Sequence, residues 1–338
     1  MIAATPSSSQ HEARASPRWQ QVLAEAIRDP AELCELLGLD VALVVPEAQR
    51  SFALRVPRGY VARMRHGDPR DPLLLQVLPQ TAELAVVPGF SSDPVGDLTS
   101  RAAAGLLQKY AGRALVVATG ACAIHCRYCF RRHFPYAEES VLQQGWEAAL
   151  ERLRADATIA EVILSGGDPL SLSDRRLAAL TRELEKLPHI HRLRIHTRYP
   201  VVLPERIDRG LIEWLSGVRL QKVVVIHANH PREIDSQVAA SCRSLLDAGA
   251  TVLNQSVLLA GVNDSVDALA ALSEALFDMQ VLPYYLHLLD KVEGAAHFEV
   301  DEARAIALHT QLSHRLPGYL VPRLVREVAG EPAKSPIA

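Results

Sequence analysis

From about residue 112 onward the chain alternates short β-branched and aliphatic runs with longer stretches whose apolar positions recur every three or four residues. Period-2 and continuous apolar runs bounded by turn residues predict strands, and 3.6-residue periodicity predicts amphipathic helices. The expected strands are Ala114–Ala118, Glu161–Leu164, Arg192–Ile195, Lys222–Ile226, Thr251–Val257 and Leu282–Leu286. The expected helices are Val141–Ala155, Asp174–Lys186, Asp208–Ser216, Arg232–Ala248, Val266–Met279 and Asp301–Ser313. Strands that alternate with helices in this way predict βαβ units and a parallel sheet, an α/β fold.

Before residue 112 the pattern is weaker. Helical periodicity begins near Trp19 and runs toward Leu37, and a Pro-, Gly- and Asp-rich connection spans Arg55 to Asp97. The polar start predicts disorder over 1–17, ahead of a mainly helical region over 18–111. A barrel-forming region over 112–316 and a short C-terminal segment over 317–338 complete the expected organisation.

Polar residues cluster where the expected strands end. Cys122 to Cys129 follow the first strand, Ser165-Gly166-Gly167-Asp168 the second, His196-Thr197-Arg198 the third and His227-Ala228-Asn229-His230 the fourth. Asn254-Gln255-Ser256 lies in the fifth, and His287 to Asp290 end the sixth. In a parallel α/β barrel that C-terminal face is where active sites are built.

Composition narrows the setting. The chain has 338 residues, 49% of them hydrophobic, and a net charge of -3, which describes an ordinary globular protein with no electrostatic bias toward nucleic acid. Low aromatic content argues against single-strand stacking surfaces. No apolar stretch reaches the roughly 20 residues needed to span a bilayer, and the start has no apolar core of a secretory signal. The expected setting is cytoplasmic, where clustered thiols stay reduced and serve metals or catalysis.

Of five cysteines, three are spaced C-x3-C-x2-C at Cys122, Cys126 and Cys129. Three thiolates on an iron–sulfur cubane leave one iron open to a small ligand, whereas a closed four-ligand site implies scaffolding. A zinc site completed by His125 or His133 is the competing reading, and no second Cys/His pair follows at finger-like spacing. Cys34 and Cys242 stand alone in helical patterns and read as small buried hydrophobes.

The triad with Tyr128 before its last cysteine, followed by Ser-Gly-Gly-Asp after the next strand, resembles the radical S-adenosylmethionine superfamily. The strings Arg127-Tyr128-Cys129-Phe130-Arg131-Arg132, Asn254-Gln255-Ser256-Val257-Leu258-Leu259, Gly261-Val262-Asn263-Asp264 and Pro283-Tyr284-Tyr285 narrow this to the lysine 2,3-aminomutase family. The run from Leu286 to Phe298 is similar to its short proteobacterial branch, which supplies β-lysine for elongation factor P. The likeness extends from about Phe52 to Pro336 and implies a partial (β/α)6 parallel barrel.

Cys122, Cys126 and Cys129 would then hold a [4Fe-4S] cluster whose open iron takes the amine and carboxylate of S-adenosylmethionine. Tyr128 would pack near the adenine, Gly166 and Gly167 would admit the ligand closely because no Cβ intrudes, and Asp168 would accept from the methionyl ammonium. Gln255 falls among the cofactor-binding positions. Lys334 matches the lysine that forms a Schiff base with pyridoxal phosphate, although Glu331 and Pro332 interrupt the family's glycine run around it. Lys109, Tyr110 and Arg113 match the phosphate-binding positions, and cation and hydroxyl donors suit a dianion.

For the substrate, L-lysine, the resemblance implies carboxylate binding by Arg131 and ε-ammonium binding by Asp290 together with Glu327, which stands where the family has aspartate. Ser265 replaces the zinc ligand of the long aminomutases, so the interchain zinc site is expected to be missing and any homo-oligomer to be held together differently. An electron donor such as flavodoxin or ferredoxin, and an elongation factor P ligase downstream, complete the implied partners. A radical enzyme without pyridoxal phosphate, or a non-catalytic iron–sulfur or zinc module, stays open on the cysteines alone.

Overall fold

The structure, a computed structural model, describes residues 17–141 and 145–337. The expected disordered start, apart from Pro17, and the segment 142–144 within the expected helix Val141–Ala155 lie outside the described residues.

Among the described residues ten strands form one sheet in chain order: β1 (Arg101–Ala103), β2 (Leu106–Leu107), β3 (Arg113–Thr119), β4 (Glu161–Gly166), β5 (Arg192–Thr197), β6 (Gln221–Ile226), β7 (Ala250–Val257), β8 (Leu282–His287), β9 (Arg323–Arg326) and β10 (Ser335–Pro336). Strands β3 to β9 run parallel, each pairing with the next, while β2 and β10 cap the two ends antiparallel. No pairing joins β1 to β10 among the described residues, yet Leu115 of β3, His196 of β5 and Tyr285 of β8 line one cavity. The sheet therefore curls into a partial barrel. All six expected strands are present as β3 to β8, and β9 is a seventh parallel strand that the (β/α)6 expectation lacks.

Two expected helices are split by capping chemistry. The Trp19–Leu37 stretch becomes Arg18–Ala24 and Pro30–Leu36, because Asp29 accepts from Ala31 N–H and Pro30 opens a new first turn. Arg232–Ala248 becomes a 3-10 turn at Pro231–Glu233 and a helix at Ser236–Asp247, reset by Asp235 accepting from Gln237 and Val238 N–H. The helices at Arg209–Gly217, Val266–Asp278 and Glu302–Arg315 start at Asp208, Ser265 and Asp301, each accepting a backbone N–H. Ser265 thus caps a helix where longer relatives were expected to carry a zinc ligand.

One hydrophobic core runs from Trp19, Leu33 and Tyr60 in the helical region to Val116, Leu164 and Val224 in the sheet. Cys34 and Cys242 are buried in it. Charge also crosses between the two regions. Glu83, in the connection after Arg55, binds both Arg127 and Arg132 of the cysteine loop, and Arg127 Nη1 donates to Phe52 O. All three side chains are essentially excluded from solvent, so the ion pairs hold because one carboxylate serves both guanidinium groups and nearby carbonyls accept most of their remaining N–H groups. The loop carrying the cysteines is thereby pinned to the N-terminal region.

Candidate active site

A cavity of about 560 Å³ lies within the barrel and at the C-terminal ends of its strands, and every site residue anticipated from the sequence lines it. Strand alternation decides which side chains reach it. On β5 the less deeply buried Arg192, Arg194 and His196 alternate with buried Leu193, Ile195 and Thr197. On β7 the polar run divides. Gln255 lines the cavity with its amide 3.2 Å from His227 Nε2, while Asn254 turns away to bond Ala228 N–H and O. A register irregularity between Asn254 and Gln255 against β8 accompanies this division.

At one end sit Cys122, Cys126 and Cys129, all free thiols. Among the described residues no three His, Cys, Asp or Glu side chains converge on a single metal ion. His125 Nδ1 is 2.7 Å from Ala53 O, and His133 Nε2 is 3.3 Å from Glu293 O, so both imidazoles are turned to backbone carbonyls. A mononuclear zinc site therefore has no support, and three soft thiolates around a roomy cavity suit a cluster. Burial pushes the Cys129 thiol up to about 11 and the Cys122 thiol well above its ordinary value, with neighbouring anionic groups adding to both.

Gly166 and Gly167 serve the chain before they serve a ligand. A Cβ on Gly166 would lie 2.4 Å from Thr119 O, and one on Gly167 2.4 Å from Ala121 O, so both allow the end of β4 to press against the start of the cysteine loop. Gly166 has φ of +125°, a conformation that side chains rarely adopt. Asp168 is likewise engaged. Its carboxylate accepts from Leu170 N–H at 3.0 Å, Thr197 Oγ1 at 2.8 Å and Arg198 N–H at 2.6 Å. Three donors on about four lone-pair positions leave room for one more, such as an ammonium. Burial raises its pKa to about 6 against the pull of those bonds.

At the other end the hairpin of β9 and β10 sets the geometry. Ser335 pairs with Arg326, so the next residues, Lys334 and Glu327, face each other, and Lys334 Nζ lies 2.5 Å from Glu327 Oε2. Gly330, with φ of +85°, supplies the left-handed residue of the connecting turn, so the interrupted glycine run still closes. Tyr110 donates to Glu327 Oε1 at 2.6 Å, and Lys109 approaches the same oxygen at 3.6 Å. Burial opposes the charge on Glu327, but Lys334, Tyr110 and Lys109 together hold its pKa below the usual range. Arg113 lies over the Tyr110 ring at 4.5 Å, and its buried Nε has no partner among the described residues, a vacancy suited to a phosphate oxygen.

Charged pairs link the two ends. Lys109 reaches Asp97 at 2.7 Å, and Asp97 accepts from Arg131 Nε at 2.6 Å, while Arg131 Nη1 donates to Ser165 at 3.0 Å. Asp290 is different. Among the described residues no cation pairs with it, and burial raises its pKa to about 7, partly offset by Lys334. The cavity also contains His196, His227 and His287, all kept neutral by burial, with His227 lowered to about 3.

With this geometry in place, sequence comparison decides the family. The profile described as the Radical SAM superfamily matches residues 116–215. The L-lysine 2,3-aminomutase of Escherichia coli strain K12 is 48% identical over 322 residues, covering 94% of each chain. The chain belongs to the L-lysine 2,3-aminomutase family. The Haemophilus influenzae enzyme of that name is 46% identical, with 95% of this chain and 96% of that one aligned, and the longer Clostridium subterminale enzyme is 32% identical, with 95% and 77% aligned. A radical SAM methyltransferase structure from Sphaerobacter thermophilus matches with a TM-score of 0.43 at 19% identity, covering 65% of this chain and 68% of that chain, too distant to add to the argument.

In this aminomutase the residues that sequence reasoning missed lie behind the cysteines and between the two ends. Asp97 joins the anticipated Arg131 and Lys109. Arg198, present in the sequence only as part of a polar strand end, touches Cys126, and Tyr60, Gln76 and Glu233 surround it. Tyr128 belongs to this group too, accepting from Asn229 Nδ2 at 2.7 Å and meeting Phe298 edge-on. Tyr128 was anticipated from the cysteine motif, but Tyr60, Gln76, Asp97 and Glu233 have no local sequence signature, because each acquires its role from a partner far away in the chain.

Proposed function

We propose that the chain converts L-α-lysine to β-lysine by moving the amino group from C2 to C3, with both ends of the cavity acting on one substrate. One observation carries this reading: the cysteine triad and the Lys334–Glu327 pair open onto the same cavity, with Arg131 and Asp290 also lining it. The family's chemistry needs a [4Fe-4S] cluster, S-adenosylmethionine and pyridoxal phosphate. When bound, they supply a hydrogen-abstracting radical and a carbonyl to which the migrating nitrogen is attached.

The chain's own residues do the positioning. Cys122, Cys126 and Cys129 hold the cluster, and Lys334 anchors pyridoxal phosphate while Arg113, Lys109 and Tyr110 receive its phosphate. Arg131, held by Asp97 and Ser165, presents a guanidinium to the substrate carboxylate. Asp290 and Glu327 receive the ε-ammonium, which favours lysine over glutamate, whose side-chain charge they would repel. The remainder of the lining mixes apolar residues such as Ile163, Val257 and Leu289 with neutral histidines and with Arg194, Tyr284, Tyr285 and Arg323, and its enclosure within the barrel limits the access of water to a radical.

Among the described residues no helix is long and apolar enough to cross a membrane. A cytoplasmic setting, reduction by a flavodoxin- or ferredoxin-type donor, and delivery of β-lysine to an elongation factor P ligase belong to the same proposal. The test is product analysis. Reduced, reconstituted protein is incubated with S-adenosylmethionine and L-lysine, and α- and β-lysine are resolved; isomerisation of another amino acid with no β-lysine formed would overturn the substrate assignment.

A further inference from the structure

The guanidinium of Arg198 is held at both terminal nitrogens, one of them against a cysteine sulfur, while its buried Nε has no partner among the described residues. Nη1 donates to Cys126 Sγ at 2.6 Å. Nη2 faces Gln76 Oε1 at 2.8 Å, Glu233 Oε2 at 2.8 Å and Tyr60 OH at 3.3 Å. The rings of Tyr60 and Tyr128 lie 5.6 and 5.7 Å from its central carbon, and the residue is 5% exposed. Its own backbone N–H donates to Asp168. Its partners are fixed in turn, since Glu233 also accepts from Asn229 and His230 N–H and from Gln76, and Asn229 bonds both Gln76 and Tyr128.

The three cysteines are not equivalent. The cations that act on Cys129 through space, Arg131 and Arg132, are bound elsewhere, to Asp97 and Ser165 and to Glu83. Cys126 receives a charged side chain from another strand end. Nη1 touches sulfur while Glu233 binds Nη2, so the positive charge stands between the sulfur and its counterion. A cation and hydrogen bond on a ligating thiolate stabilise the more negative, reduced cluster, and burial strengthens the effect.

We propose that Arg198 is a positioning residue of the iron–sulfur site, raising the potential at which the cluster accepts one electron from a low-potential donor by holding its guanidinium against the Cys126 thiolate. The proposal rests on the cluster assignment above and adds a residue that determines how readily the cluster is reduced. It also explains why an arginine is buried here with so many acceptors: a mobile cation would blur the potential, and an unpaired one would be too costly to bury.

Redox titration of the reconstituted protein, followed by the electron paramagnetic resonance of the reduced cluster without S-adenosylmethionine, tests this directly. At a fixed solution potential Arg198→Met should lower the ratio of reduced to oxidised cluster at least tenfold, a shift of about 59 mV for one electron, and Arg198→Lys should lower it less. Glu233→Gln, which removes the counterion without touching sulfur, should shift the ratio the other way. An unchanged potential in Arg198→Met overturns the proposal, as does weaker S-adenosylmethionine binding with no change in potential, which would make Arg198 a ligand of the methionyl group. If Arg198→Met fails to hold iron, the Glu233→Gln titration decides, and no shift there is fatal. A parent protein with no [4Fe-4S] signal would instead overturn the cluster assignment itself.

Discussion

The two ends of the cavity are built on opposite principles. Around the cysteines every charge has its counterion or donors within the protein and is nearly excluded from solvent: Arg127 with Glu83, Arg198 with Glu233, and Asp168 with three donors. Around Lys334 the charges form a chain that is mostly buried but open to the cavity, with one carboxylate, Asp290, left without a cation among the described residues. A sealed network suits a group that stays in place through turnover. An incompletely paired one suits ligands that enter as ions and take over existing partners, as a substrate ammonium would take Glu327 and Asp290.

The largest expected effects separate the two ends outright. Cys126→Ala should abolish iron binding and turnover yet leave the visible absorbance of bound pyridoxal phosphate, and Lys334→Ala should do the reverse, keeping the cluster signal and losing that absorbance. Loss of both groups in either variant, read by iron analysis and visible spectra, would show that the ends do not fold independently.

Next in size is the staple behind the cysteines. Removing one partner of a buried, hydrogen-bonded ion pair costs about 3–5 kcal/mol, so Arg127→Ala should lower the thermal unfolding midpoint by several degrees and shed iron. A comparable loss from Lys109→Ala, whose partner Asp97 keeps a second cation in Arg131, would erase the contrast.

A pH dependence should follow from Asp290. Its pKa of about 7 means that the ε-ammonium meets a neutral acid below that value, so KM for lysine should rise about tenfold per pH unit as pH falls below 7. Asp290→Asn should flatten this limb of the profile, and a limb that persists in that variant would assign it elsewhere. For folding the sign is opposite. The native state keeps a proton that an unfolded aspartate releases near pH 4, so this group's contribution to the stability of the ligand-free protein declines as pH rises from about 4 to about 7.

The smallest effect should come from Glu327→Asp, which shortens the reach to Lys334 and to the ammonium by one methylene. The charge is kept and only the reach changes, so KM for lysine should shift by less than about fivefold in steady-state assays, a change of about 1 kcal/mol.

The parallel strands were legible because each buries β-branched residues between punctuating turns, and β3 to β8 fall where the pattern placed them. Strand β9 was not. Arg323-Leu324-Val325-Arg326 is only four residues long with arginine at both ends, and it becomes a strand because β8 offers it an open edge. The helix breaks at Asp29 and Asp235 have capping residues visible in the sequence, but periodicity alone runs straight through them. In the site, the glycines were read as room for a ligand, whereas they first make room for Thr119 and Ala121. Gln76, Asp97 and Glu233 were invisible because a buried polar residue has meaning only with its distant partner.

Sequence by itself determined what is local: three thiolates at fixed spacing, polar residues at successive strand ends and a family resemblance extending to Lys334. Those features depend on neighbours a few residues apart, which covalent connectivity already fixes. Tertiary structure decided what depends on long loops closing. It placed Lys334 against Glu327 through an antiparallel hairpin, left Asp290 without a cation among the described residues, and put the Arg198 guanidinium on one sulfur of the three. Charges interact through space over a few ångströms, and only folding sets those distances.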